Sequence, residues 1–453
     1  MPENVIKNQS SLGFGIAYLF YEISNQLGIV CKVIHGTLKL PPPHPNSFFS
    51  GPISPMYPNH AWNSVTIDNE HYFIDICCAS PKHPLNTTKD VDDGFFLAKT
   101  TEFIFTHIPL KAENQYNSPV LSYPVFWQLP YVRPAFFRDG LRFLNLNSSN
   151  LVVKNDEIIP LILHLKDETI NIYAELEIFP KDFNIVSKCK KTWPAPVQRH
   201  PLLSQCINYN GKRMVKIYIG VNSKDCYAVL NIYSGKRPTL LSRKLKKELL
   251  KKMISKDNLE QGTIESDLTS EIVNIKSAII NNSENVIPVS VTSKQSRVID
   301  ILINPKNDVN ETNKITKTNQ VLFNNAELIG TPNSETYSLA ANIPVHHLGK
   351  PFSQRFIQTN HFSEFEFYFK SPITSDFPLN SIVNFHILPT CPEFTQHYKI
   401  QLLSPSEGYS KFLYQSFDQS YVLSVKFNEV GNWRVICFSK TEGWSNITVL
   451  SCY

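Results

Sequence analysis

The chain has 453 residues, 42% of them hydrophobic, and a net charge of +5 at neutral pH, too long for one hydrophobic core and too mildly charged to argue for nucleic-acid binding. Nine cysteines, an odd number with no Cys-x-x-Cys pair, argue against zinc and against a secreted disulfide framework. The start Met1-Pro2-Glu3-Asn4 lacks a signal-peptide pattern and no apolar run approaches the roughly 18 residues of a membrane span, so cytoplasmic residence is expected; with only 16 glycines and no phosphate-cradling loop, no cofactor is.

The first predicted element is a helix over roughly Gly15 to Leu27, where Ile16, Leu19, Phe20, Ile23 and Leu27 recur at helical spacing. It follows Leu12-Gly13-Phe14. A strand over Cys31 to Leu38 leads into Pro41-Pro42-Pro43-His44-Pro45, which reads as a rigid connecting loop or as a ligand for a proline-recognition domain. Next comes a hairpin: His60-Ala61-Trp62-Asn63-Ser64-Val65-Thr66-Ile67, a polar turn, then His71-Tyr72-Phe73-Ile74-Asp75. With Asp68-Asn69 as a two-residue turn, His60 faces Cys77 directly and Asp75 diagonally.

These segments resemble the core of the transglutaminase-like, papain-like thiol superfamily. There the first segment ends in Val-Cys-x-Gly-Tyr-Ala-x-Leu-Phe, with the cysteine opening a buried helix. Here the spacing to Gly15 and Ala17 is kept and Gly13 stands where the nucleophile is expected. A thiol at a helix N-terminus, an imidazole and a carboxylate form such a site, because the helix end stabilises the thiolate while the imidazole handles the proton. The resemblance therefore implies a degenerate triad of Gly13, His60 and Asp75, with the emptied cleft around His60, Trp62 and Asp75 as a binding surface; a structural histidine at His60 is the alternative. Ser10 and Ser11 lie too early to replace the nucleophile. Cys77 shares a strand face with Asp75 but lacks a helix N-terminus, and so reads as a buried apolar cysteine.

The resemblance sharpens downstream, with Asp75-Ile76-Cys77-Cys78-Ala79-Ser80-Pro81, Phe95-Phe96-Leu97, Phe103-Ile104-Phe105-Thr106-His107-Ile108-Pro109 and Leu129-Pro130-Tyr131-Val132-Arg133-Pro134 running on to Leu141. This series is similar to the fungal cytokinesis proteins that join a Src-homology-three domain to a transglutaminase-like domain. It is more remotely similar to the kyphoscoliosis peptidase and hillarin group. The resemblance implies a division-site protein acting in ring constriction and septum formation. The chain is read as starting at the nucleophile helix, with neither a Src-homology-three domain nor the helices that usually come first expected before it. One side of that helix is then expected to be uncovered.

Beyond residue 140 the pattern is β. Ile158 to Leu165, Ile170 to Ile178, Met214 to Ile219 and Tyr227 to Tyr233 suit a small immunoglobulin-type sandwich over 141–235. A second, over 332–453, carries Phe365 to Phe369, Ile382 to Leu388, Tyr398 to Leu403, Tyr421 to Phe427 and Gly431-Asn432-Trp433 to Phe438. Between them, Lys236 to Lys256 combines many basic residues with Leu241, Leu245, Leu249 and Met253 every fourth residue, reading as a basic helix that faces water, lies on an anionic membrane surface or docks into a partner groove. Asn304 to Asn319 reads as a loop and Val286 to Ile303 as partly strand.

The expectation is thus an α+β chain. A transglutaminase-like core over 1–140 is followed by two β-sandwich modules and a 236–331 linker. It acts as a non-catalytic scaffold among cytokinesis and contractile-ring proteins, with septum-synthesis machinery as a further partner, at the bud neck or contractile ring. The competing readings are a thiol enzyme, a peptidase or transglutaminase, using Cys77 or Cys31, and a cytoskeletal structural protein.

Overall fold

The computed structural model describes residues 2–8, 13–42, 58–83, 86, 90–146, 148–179, 196–236, 337–359, 367–390, 399–439 and 443–453. Among them sheet predominates, with few and short helices. No described helix is long and apolar enough to cross a membrane. Most of the proline run at 41–45, the basic stretch beyond Lys236, and the segments 286–303 and 304–319 lie outside the described residues.

The N-terminal region runs α1 (Pro2–Asn8), α2 (Gly13–Gln26), β1 (Cys31–Leu38), β2 (His60–Ile67), β3 (Glu70–Ile74), α3 (Ile76–Ala79), β4 (Ala98–Lys99), α4 (Thr100–Phe103), β5 (His107–Pro109) and α5 (Tyr123–Gln128). Its strands form one sheet in the order β4-β3-β2-β1-β5. Helix α2 turns its small residues Gly13, Gly15, Ala17 and Ser24 inward. Such small side chains let the helix approach the sheet closely enough for Asn63 Nδ2 of β2 to donate to the Ala17 carbonyl at 3.0 Å. The outer flank is open, with Ile23 and Leu27 50% and 70% exposed. The fold does not begin at α2, however: α1 precedes it and packs on it.

The hairpin turns through Asp68 and Asn69, whose φ angles of 51° and 64° make the primed turn that matches strand twist. Its register, Ile67 opposite Glu70 to Asn63 opposite Ile74, is the one the spacing predicts. The ladder then stops. Asp75 caps α3, its Oδ1 accepting from the Cys78 amide at 2.9 Å, so Cys77 lies in a helical turn and does not face His60 across a sheet.

The expected strands downstream are present: Ile159–Leu165, Ile170–Phe179, Lys212–Ile219, Tyr227–Lys236, Phe367–Ser371, Ile382–Pro389, Lys399–Leu403, Ser420–Lys426 and Gly431–Ser439. They belong to four sheets whose buried faces contribute to one apolar cluster. Trp433 is buried there, stacked on Phe427 at 4.3 Å between ring centres. Domain edges differ from the expected ones. Ser338–Leu348, placed by sequence in the second module, pairs along Tyr227–Lys236 in the first. Tyr131–Val132, from the N-terminal region, adds to the other side of Ser338–Leu348. Pairing, unlike chain order, decides membership of a sheet. The sheet that holds Lys212–Ile219 and the one that holds Phe367–Ser371 are also tied by Gln205, whose side-chain amide accepts from Phe369 N at 2.6 Å and donates to its carbonyl at 3.1 Å.

Candidate functional site

Asp75 is the hub of the N-terminal region. Its position is local in origin: where the β3 ladder ends, the carboxylate caps the next helical turn through Oδ1, which leaves Oδ2 for partners from elsewhere. His60, at the start of β2, places Nε2 2.6 Å from Oδ2, and His107, at the start of β5, places Nε2 3.1 Å from the same atom. A carboxylate only accepts, so both imidazoles carry their proton on Nε2. His107 Nδ1 then accepts from Thr106 Oγ1 at 2.8 Å. Burial pushes the Asp75 carboxyl up, but the hydrogen bonds from His107 and His60 outweigh it and hold the group well below the usual carboxylate range.

The surrounding wall is aromatic. Trp62 lies 6.4 Å from His60 and 5.1 Å from His107 between ring centres, and Phe103 stacks on His107 at 3.9 Å. His60, Trp62 and Asp75 are 6%, 1% and 1% exposed. Among the described residues these three side chains are buried, at the apolar cluster of Trp62, Phe73, Phe95 and Phe103.

The other ring edge of His60 points at the N-terminal end of α2. A Cβ built on Gly13 would lie 2.5 Å from His60 Cε1 and 2.7 Å from Nδ1. One nitrogen thus meets the carboxylate and the other meets position 13, the relation in which an imidazole would mediate between a nucleophile and an acid. Glycine has nothing to offer there, and the ring occupies part of the room a side chain would need.

Three cysteines lie in this region. Cys31 pairs opposite Val65 while His60 pairs opposite Gly36. Five strand positions separate them along β1, on the order of 16 Å. Burial raises the Cys31 thiol. Burial, with the Asp75 charge beside it, pushes Cys77 up to about 11. Cys78, which the sequence reading did not single out, has Sγ 4.0 Å from His60 Nε2 and also hydrogen-bonds Asp75. Burial and that carboxylate push its thiol far up, away from the thiolate a nucleophile needs.

The structure places Gly13, Trp62 and Asp75 around His60, with Cys78 and His107 also beside Asp75. The sequence shows no metal-ligand spacing, yet ligand atoms of His60, Asp75, Cys78 and His107 all lie within 4.8 Å of one another. His60 and His107 stand 15 and 32 residues from Asp75, on separate strands. The one local signal was Asp75 three residues before Cys78, the spacing of a capped turn.

No family model matches the chain. It is 32% identical over 245 residues, 51% of its length, to cytokinesis protein 3 of Schizosaccharomyces pombe, and 25% identical over 186 residues to the protein of the same name from Saccharomyces cerevisiae, 40% of the chain. The resemblance to the cytokinesis family is borne out. The same chain is 25% identical over 211 residues, 41% of its length, to the Lim and transglutaminase domain protein ltd-1 of Caenorhabditis elegans. It spans 25%, 20% and 28% of these three relatives respectively.

Proposed function

We propose that this chain is a non-catalytic, transglutaminase-like scaffold or regulator of cytokinesis, acting at the division site, at a bud neck or contractile ring, during ring constriction and septum formation. Its similarity to two proteins named for cytokinesis supports the process. The relative named for a transglutaminase domain supports a transglutaminase-like fold for the N-terminal region, and the sheets beyond it suit immunoglobulin-like modules. Contractile-ring proteins and the septum-synthesis machinery are its partners on this reading.

One observation carries the non-catalytic reading: the space where a side chain at position 13 would start is taken up by the His60 imidazole. His60 and Asp75 then serve as a buried brace between β2, β5 and α3, in place of a binding cleft. A thiol enzyme using Cys31 or Cys77 is disfavoured by the distance of the first along β1 and by the raised thiol of the second.

Time-lapse imaging of the tagged protein in its own cells tests the process. Accumulation at the division site as the ring constricts is expected. A signal that stays diffuse, or one that decorates filaments throughout the cell cycle, overturns the cytokinesis reading, the second in favour of a cytoskeletal structural protein.

A further inference from the structure

The hub of Asp75 has a composition that a hydrogen-bonded brace does not require. Two imidazole nitrogens, a carboxylate oxygen and a thiol converge within 4.8 Å, all on buried residues. They arrive from β2, β5 and α3 and from the capping position before it. The geometry points to a tetrahedral site for a zinc-class divalent ion, with His60 Nε2, His107 Nε2, Asp75 Oδ2 and Cys78 Sγ as its four ligands. This inference stands whether or not the chain acts in division.

The donor set suits the metal. Imidazole nitrogen with thiolate sulfur selects zinc over the hard, oxygen-preferring ions, and four donors close a structural site without an open position. Around a tetrahedral zinc with bonds of about 2.0–2.3 Å, neighbouring donors stand roughly 3.3–3.6 Å apart. Here the separations from His60 Nε2 to Asp75 Oδ2, His107 Nε2 to Asp75 Oδ2 and Cys78 Sγ to His60 Nε2 are 2.6, 3.1 and 4.0 Å, straddling that range. To admit the ion, His60 Nε2 and Asp75 Oδ2 move apart by about 0.7 Å, and the wider donor pairs, all within 4.8 Å, draw in by up to about an ångström.

Outer support is in place as well. Metal-bound imidazoles usually donate their other nitrogen to an oxygen that fixes the ring, and His107 Nδ1 sits 2.8 Å from Thr106 Oγ1. Asp75 is held through its remaining oxygen by the Cys78 amide. On binding, the Cys78 thiol loses its proton to solvent. Each imidazole stays neutral, its proton passing from Nε2 to Nδ1. The metal thus replaces hydrogen bonds on one carboxylate oxygen with four coordinate bonds, and one proton is released per ion.

The test uses the full chain, freed of metal with a chelator and titrated with Co²⁺, whose visible spectrum reports tetrahedral coordination and whose thiolate bond adds a near-ultraviolet charge-transfer band. One equivalent with both signatures is expected. Cys78→Ser should lose the charge-transfer band, His107→Gln should weaken retention at least 10-fold, and Cys31→Ser should change neither. A wild-type chain that gives no stoichiometric tetrahedral spectrum overturns the inference, independently of how any variant folds. So does a charge-transfer band that survives Cys78→Ser and disappears in Cys31→Ser or Cys77→Ser.

Discussion

His60 bridges two residues that do opposite things to it: Asp75 holds one ring nitrogen at 2.6 Å, and Gly13 yields space to the other, a Cβ there falling 2.7 Å from Nδ1. The absence of a side chain at position 13 and the placement of the imidazole are therefore coupled, and adding one without moving the other is costly. Gly13→Ala is expected to destabilise the protein by about 1–3 kcal/mol, the range for an added group in a filled site. Urea unfolding followed by fluorescence reads this directly. A stability unchanged from wild type would mean the ring swings aside freely.

Gly13→Cys tests the same coupling chemically. With the ring where it is, the new thiol cannot reach the arrangement that lowers a thiol pKa, so alkylation near neutral pH should be slow. Cys31, Cys77 and Cys78, each raised by burial, should likewise react slowly in the folded chain and quickly in denaturant. Iodoacetamide labelling read by mass spectrometry distinguishes the sites. One fast thiol among the native three would revive the enzyme reading.

Lys39 supplies the pH dependence. It is 3% exposed, and its ammonium donates to the Phe126 and Leu129 carbonyls at 2.6 and 2.9 Å, closing the C-terminal end of α5 beside the Phe126 ring. Burial pulls its pKa down to about 7. The unfolded chain keeps this proton up to about 10.4. Between the two values the unfolded state binds the extra proton, so stability rises with pH across that window by up to about 1.4 kcal/mol per pH unit and falls again as pH returns toward 7. Lys39→Met should flatten that rise in a series of denaturant titrations.

Gln205 should matter more than an ordinary surface amide. It satisfies both backbone groups of Phe369 on the outer edge of a sheet. Gln205→Ala leaves them without those bonds, at a cost of about 1–3 kcal/mol. Proteolysis of the C-terminal module should quicken in step, and a variant as resistant as wild type would show that another group takes over.

What could be read in the sequence was what adjacent residues decide. Alternating apolar residues marked a strand from Ile170 to Ile178 and the Gly431-Asn432-Trp433 pattern one running to Phe438, and the two-residue turn Asp68-Asn69, whose residues both take positive φ, set the hairpin register. The misreading at Cys77 has a local cause: alternation was carried past Ile74, where the Asp75 carboxylate captures an amide and ends the strand. His107 was missed for a different reason, since only tertiary folding brings β5 to that carboxylate, whereas Cys78 reaches it through the local capped turn. The ring beside Gly13 could not have been inferred at all, because a glycine does not say which side chain packs against it.

Sheet order also sets a schedule for synthesis. Asn231 and Asn342 are hydrogen-bonded across neighbouring central strands yet stand 111 residues apart. At roughly 5–20 residues per second, a ribosome needs on the order of 5–20 s to deliver the second strand after the first. Until then Tyr227–Lys236 has one flank without its native neighbour, and the half-built sheet must survive in the cell as an open edge. The nascent chain, more than the finished protein, is the state in which this molecule needs protection from aggregation.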